Sequence, residues 1–210
     1  MVNQKQIWDK EYLQNKNKWN KETINLPKIL RNKCVLELGV GNGKTLKSIL
    51  KQNPKLVTAI DFSKQAIEQA KSNTNNKIVK FIKSDVRELP FPDSKFDIVV
   101  CYYILNNLIE KDRKKAVSEL YRLLKPKGKI LFQDFALGDY RQKGEKVEKN
   151  TVKHKNGIMC HFFTDSEIND LFKDFSKIDL KIEEREPIRK NKKIKRRIIS
   201  AIISKQFNYF

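Results

Sequence analysis

The sequence predicts an α/β domain: a mostly parallel sheet with helices on both faces and an insertion after the fifth strand. Three observations predict it. Apolar, β-branched runs alternate with amphipathic runs from Cys34 to Phe135. A glycine-rich turn follows the first of these runs. Acids close the next two apolar runs, where a parallel sheet presents its ligand edge.

Each element has a local reason. Trp8, Tyr12 and Trp19 recur at helical spacing among charges, so residues 1–33 read as an amphipathic leader that packs on the core or over a site. Residues 34–210 form the domain proper. "CVLELG" is a buried strand and "GKTLKSILKQ" the helix after it. "LVTAIDF" is a second strand, and "SKQAIEQAKSN" is its helix, capped by Ser63. "KIVKFIKSD" and "FDIVVCYYIL" are the third and fourth strands. "EKDRKKAVSELYRLLKPKG" is an amphipathic helix ending at Pro126 and Gly128, and "KILFQDF" is the fifth strand. A polar stretch follows, about 137–162, with "NTVKH" and "IMCHFF" paired through Lys155-Asn156-Gly157. Its position above the ligand edge marks it as a lid or clamp, with an ornamental loop as the alternative. "TDSEINDLFKDF" is a helix capped at Thr164 or Asp165, and "KIDLKIEER" and "IISAIISKQF" are two last strands, bringing the sheet to seven.

Composition bounds the rest. The chain has 210 residues, enough for one α/β domain, and carries no apolar run near membrane-span length and no signal-peptide core at "MVNQKQIWDKEY". A soluble cytoplasmic protein with no membrane partner is expected. Cys34, Cys101 and Cys160 are far apart without a CxxC, so neither disulfides nor a metal site is expected. Lys and Arg number 45 against 25 Asp and Glu, a formal net charge of +20. Such a surface attracts polyanions. Because 36 of those 45 are Lys, compositional drift is the competing explanation.

The loop "GVGNGKT" decides the chemistry. A P-loop needs four residues between its glycines, but Gly39 and Gly43 enclose three. A dinucleotide fingerprint needs a third glycine where Lys44 stands. A third reading uses more residues. Glycines let an adenosine-containing cofactor lie against bare backbone. Asp61, 22 residues after Gly39, can accept hydrogen bonds from two ribose hydroxyls. Asp85 in "KSDVRELPF" can accept from an exocyclic amine while the Val86 amide meets a ring nitrogen.

Taken in order, "VLELGVGNG", "AIDFS", "SDVRELPFPDSKFDIVV" and "LLKPKGKILFQDF" closely resemble the class I S-adenosylmethionine-dependent methyltransferases. The likeness covers roughly residues 30–180. It implies the Rossmann-like methyltransferase fold and S-adenosyl-L-methionine as cofactor. Glu37, Gly39, Gly41, Asn42 and Gly43 would contact the methionine moiety. Asp61 and Phe62 would hold the ribose and adenine edge, and Asp85 and Val86 the adenine. Cys101 ends the fourth strand beside the methionine part, or is simply a packed strand residue.

The later half, "GKILFQDFALGDYR" and "GIMCHFFTDSEINDLF", is similar to the tRNA 3-methylcytidine methyltransferases. "LPFPDSKFDIVV" and "HFFTDSEI" also resemble the tRNA wobble-uridine carboxymethyl methyltransferases. "CYYILNN" stands where exocyclic-adenine methylators carry NPPY or DPPY. Asp134, His161 and Tyr102 are the candidate catalytic residues. Tyr103, Asn106, Arg141 and Phe163 are the candidates for substrate contact. Seven Lys or Arg between Arg189 and Arg197, and a Lys-rich lid around Tyr140 and Phe162, suit an RNA with an unpaired base. Two other functions stay open: methylation of a small molecule, and a non-catalytic nucleic-acid-binding module.

Overall fold

A computed structural model describes residues 4–14, 24–189 and 192–206. Trp19 of the leader, and Lys190 and Asn191 of the basic run, lie outside the described residues.

The expected alternation is present. Helix α1 (Gln4–Gln14) precedes β1 (Cys34–Leu38), α2 (Lys44–Leu50), β2 (Leu56–Asp61), α3 (Lys64–Asn73), β3 (Val79–Lys83) and β4 (Phe96–Tyr102). A short 3-10 turn, Leu105–Asn107, leads into α4 (Glu110–Leu123) and β5 (Leu124–Phe135). The seven-stranded sheet runs β3-β2-β1-β4-β5-β12-β9, where β9 is Lys177–Arg185 and β12 is Arg196–Ser204. Strands β1 to β5 are parallel, and β12 is antiparallel to both β5 and β9. The order reverses between β1 and β4, which opens a crevice at their carboxyl ends.

Alternation along the strands sorts side chains onto two helix-covered faces. Leu36, Leu38, Val99, Cys101 and Phe132 belong to one core; Val35, Val57, Ala59, Val100 and Leu131 belong to the other. Ser63 caps α3 by accepting from the Ala66 amide at 3.2 Å, as its sequence position predicts. Thr164 caps α5 (Asp165–Leu171) by accepting from the Glu167 amide. Helix α4 stops at Leu123, short of the expected Pro126 and Gly128. Pro126 bars Lys125 from helical backbone, and the chain turns into β5 early. A register shift against β4 takes up the irregular stretch.

The insertion is a three-stranded sheet, β6 (Glu145–Glu148), β7 (Thr151–Lys153) and β8 (Met159–His161). The β7–β8 hairpin matches expectation. Strand β6 has no apolar face and no sequence signal. What holds this sheet down is polar. Arg113 of α4, buried, donates to the Leu108 carbonyl at 2.6 Å. It also pairs with Glu148 at 2.9 Å and stands 3.7 Å from Glu167 of α5. His161 shares a 2.8 Å hydrogen bond with Thr151, and its other ring nitrogen lies 2.9 Å from Glu167. Strands β10 (Ile188–Arg189) and β11 (Lys192–Lys193) form a separate antiparallel pair. Among the described residues no helix is long and apolar enough to cross a membrane.

Removing Arg113 takes the buried cation from between Glu148 and Glu167 and leaves them the Glu110 amide, Thr151 and His161 as partners. Arg113→Ala is expected to destabilise the protein by about 3–5 kcal/mol, read as a drop in the urea midpoint. An unchanged midpoint would show that the insertion is held by other contacts.

Candidate active site

The cleft forms where β1, β2 and β4 end. The turn after β1 takes left-handed backbone at Gly39 (φ 61°), Gly41 (φ 54°) and Gly43 (φ 84°). Packing adds to the demand for glycine: a Cβ on Gly41 would lie 2.7 Å from the Tyr12 hydroxyl oxygen. Asp61, at the end of β2, is buried and accepts from the Gly41 amide at 3.0 Å and the Ser63 amide at 2.9 Å. Its carboxylate therefore sits against the glycine turn and holds its shape. Burial pushes the Asp61 carboxyl up to about 6, and the two amides restrain the shift.

Glu37 is buried in the same neighbourhood, with no hydrogen-bond partner for either carboxylate oxygen among the described residues. Burial, then the charge of Asp61, raises its pKa well above the ordinary carboxylate range. A buried, unpaired carboxyl of this kind is costly unless a donor or a cation meets it. Glu37 itself does not line the cleft; Gly39, Gly41, Asn42, Asp61 and Asp85 do, with the Ile104 and Tyr12 side chains packed on the two glycines. That glycine turn and those two acids fit the cofactor the resemblance implies.

Asp85 is placed differently from expectation. Strand β3 ends at Lys83, and Asp85 lies in the following turn, bridged to Glu88. Arg87 grips it through its backbone amide and Nε on one oxygen and Nη2 on the other, at 2.9, 2.9 and 2.6 Å. Burial pulls the Asp85 pKa up, but Arg87 outweighs it and holds the carboxyl below its usual range. Three of roughly four acceptor positions are taken, which leaves one for an exocyclic amine. Val86 and Phe62 line the cleft beside it.

Strand parity separates the other expected residues. Tyr102 pairs with Gln133 across β4 and β5, and both line the cleft. Cys101 pairs with Phe132 on the opposite face, fully buried in the core, so the cofactor contact expected of its side chain does not form. Asp134 shares the Phe132 face. It is fully buried, accepting from the Asn106 and Phe135 amides at 3.0 Å each. His161 is equally buried in the Arg113 network, and Phe163 packs edge-on against Phe132. As placed, Asp134 and His161 have no access to a substrate proton, and Phe163 none to a substrate surface. Their roles here are to hold loops and the insertion in position. Gly43, buried, closes the turn behind the cleft and caps α2 with its backbone.

The substrate side is aromatic and basic. Tyr103 has left-handed backbone (φ 59°), with its amide donating to the Gln133 carbonyl and its hydroxyl accepting from the Gln133 side chain at 2.7 Å. Its ring lies 5.0 Å from that of Phe135. The Arg141 guanidinium stands 4.4 Å from the Phe135 ring and is tied to buried Asp139 at 3.1 Å. Asn106, largely buried, donates to the Cys160 sulfur at 3.7 Å and lines the cleft; Asn42, also largely buried, lines it beside the turn and accepts from the Lys44 amide at 3.3 Å.

Sequence reasoning missed Gln133, Arg87 and the way α1 closes the site. The leader helix lies across the cofactor edge and reaches the insertion. Asp9 accepts from the Ser63 hydroxyl, Gln69 donates to the Tyr12 carbonyl at 2.7 Å, and Gln4 donates to the Gly157 carbonyl at 3.0 Å. Burial, then the charge of Asp61, holds the Tyr12 hydroxyl far above its ordinary pKa, so it stays protonated. The alternating aromatic residues Trp8 and Tyr12 were the available signal; the partner was not.

Ribose hydroxyls donate more strongly to an ionised carboxylate than to a neutral one, and Asp61 loses its charge as pH falls through about 6. Affinity for S-adenosylmethionine is therefore expected to be level above that pH. Below it, affinity should drop roughly tenfold per unit. Asp61→Asn should bind weakly with no such slope, as measured by calorimetric titration at pH 5 to 8. A wild-type profile flat across that range would rule out the role.

Residues 36–132 match the family model described as a methyltransferase domain. The tRNA N(3)-cytidine methyltransferase METTL2 of Danio rerio is 34% identical over 151 residues, covering 66% of this chain and 43% of that protein. The chain thus spans less than half the length of that relative. The tRNA N(3)-methylcytidine methyltransferase trm140 of Schizosaccharomyces pombe is 29% identical over 223 residues, covering 93% of this chain and 72% of that protein. Among solved structures, a SAM-dependent methyltransferase from Methanosarcina mazei superposes with a TM-score of 0.73 at 21% identity, over 88% of this chain and 100% of the other. Shared sheet order, the glycine turn held by a strand-end acid, and the matched segment agree: residues 36–132 are a methyltransferase domain, and the chain has the fold of the S-adenosylmethionine-dependent methyltransferases.

Proposed function

We propose that this protein methylates a base in tRNA, with N3 of a cytidine as the acceptor. The observation that carries this reading is the sequence likeness to tRNA N(3)-cytidine methyltransferases, one of which extends over 93% of the chain. On this reading residues 34–210 are the catalytic domain, residues 1–33 a leader over the cofactor, and about 137–162 a lid. A cytoplasmic location goes with it.

The chemistry of the cleft supports the assignment. S-adenosylmethionine supplies an electrophilic methyl group. Cytosine N3 presents an in-plane lone pair at neutral pH, so no proton has to be removed before attack. That removes any need for Asp134 or His161 as a base, and both are sealed in the interior. The remaining task is alignment. Tyr103, backed by Phe135, offers a ring on which a flipped base can stack. Attack at N3 leaves the base cationic, and the same ring attracts a cation. Arg141, held by Asp139, is positioned to pair with a phosphate beside the target base. Lys146, Lys153 and Arg196 line the same side of the cleft.

Incubation with methyl-labelled S-adenosylmethionine and unmodified tRNA transcripts is expected to yield labelled 3-methylcytidine on nucleoside analysis. Label confined to the small-molecule or protein fraction of a cell extract would overturn the reading. Arg141→Ala is expected to raise the KM for tRNA about tenfold while leaving cofactor affinity unchanged. A fall in kcat at constant KM would instead place Arg141 at the transition state.

A further inference from the structure

The end of the sheet opposite the cleft carries a row of lysines. In sheet order, Lys77 precedes β3, Lys55 precedes β2, Lys33 precedes β1 and Lys95 precedes β4. Lys129 opens the regular part of β5, Lys205 follows β12, and Lys177 begins β9. The register confirms that these ends coincide: Cys34 pairs with Leu56, Val57 with Val79, Ile98 with Lys129, and Ser204 with both Lys129 and Lys177. Every one of the seven strands therefore contributes a lysine to one rim. At about 4.8 Å between strands the row extends about 29 Å. It lies about 17 Å, the length of a five-residue strand, from the glycine turn.

Not all seven ammonium groups face solvent. Lys205 turns inward and donates to the Tyr121 and Leu124 carbonyls at 2.7 and 2.8 Å. Lys129 donates to the Ser204 hydroxyl, and Lys95 rests 4.6 Å from the Phe91 ring centre. Lys33, Lys55, Lys77 and Lys177 are exposed. Arg31 and Lys51 are exposed on the same side, where the Asn32 amide donates to the Asn53 carbonyl and the Lys55 amide to the Lys33 carbonyl. Of the acids near this rim, Asp97 accepts from the Cys34 amide and Lys125, and Asp93 pairs with Arg122, while Asp174 and Asp179 are exposed beside Lys177 at the β9 end. Like charges at neighbouring strand positions repel. The stretch from Lys77 through Lys55 to Lys33, with Arg31 and Lys51 beside it and Asp97 already engaged, is electrostatically complementary to a chain of phosphates.

We propose that this rim is a second RNA-binding surface, contacting the sugar-phosphate backbone of the substrate at a distance from the modified base. The inference rests on the RNA reading above and adds a docking face to it. A substrate larger than the target loop would be held at two places, by the cleft and by the rim. Backbone contacts of this kind set affinity and orientation without reading sequence.

The test is the salt dependence of binding to full-length tRNA transcript and to a short RNA hairpin that reaches only the cleft. The charge-reversed variant Lys33→Glu/Lys55→Glu/Lys77→Glu is compared with Lys111→Glu/Lys114→Glu/Lys115→Glu on the outer face of α4. The rim variant is expected to lose at least tenfold in tRNA affinity, and its plot of log affinity against log salt should be shallower by about 2 to 3 units. Hairpin affinity, cofactor affinity and hairpin methylation should stay at wild-type values. An unchanged tRNA slope, or an equal change in the α4 variant, overturns the rim as a specific surface. Failure of the wild-type protein to bind tRNA at low salt would instead overturn the RNA reading itself. If cofactor binding shows that charge reversal disturbs the fold, the Lys→Gln triple at the same positions takes its place, with about the same loss of slope expected.

Discussion

One carboxylate organises the cofactor end of this molecule. Asp61 ends β2 and accepts amides from the turn after β1 and from the first turn of the loop into α3. Hydrogen bonds to a charged acceptor contribute roughly 1.5–3 kcal/mol each. More important is what they constrain. The left-handed glycines of the turn have many alternative conformations, and the bond from Gly41 selects one of them. The next residue in the chain of contacts, Ser63, both donates to Asp9 of the leader helix and caps α3. A single strand-end acid thus couples the glycine turn, the second helix–strand unit and the helix that covers them.

The opposite side of the cleft depends on a second polar centre. Arg113 lies at the junction of α4, β6 and α5, and its two acidic neighbours come from the insertion and from the helix after it. An insertion without a continuous apolar face cannot be held by burial alone. The network supplies direction and register where hydrophobic packing would supply neither. His161 belongs to that network, which explains a histidine on an otherwise apolar strand end better than catalysis does. Tyr103, Gln133 and Phe135 line the same cleft as the glycine turn, at the switch in strand order.

The cleft carries both signs of charge. Asp61 and Asp85 line it with Lys44, Lys83 and Arg87, and Arg141, Lys146, Lys153 and Arg196 line it with Glu145 and Glu183. The surplus of positive charge does not end there, since the far rim of the sheet repeats it at each strand.

Sequence by itself determined the alternation of strands and helices, the glycine turn, the caps at Ser63 and Thr164, and the β7–β8 hairpin. These depend on local periodicity, backbone preference and nearest-neighbour hydrogen bonds, all of which short stretches encode. It also marked Asp61, because an acid at a strand end is visible in one dimension. Only the tertiary structure decided which side of each strand end faces the cleft. Cys101 and Tyr102, or Gln133 and Asp134, are adjacent in sequence and opposite in space, and a parallel sheet covered on both faces has no hydrophobic alternation to tell them apart. Likewise the clamp of Arg87 on Asp85, and the reach of α1 from Ser63 to Gly157, join residues whose separation along the chain hides their contact. Long-range pairing of polar groups follows from the completed packing, and no local pattern announces it.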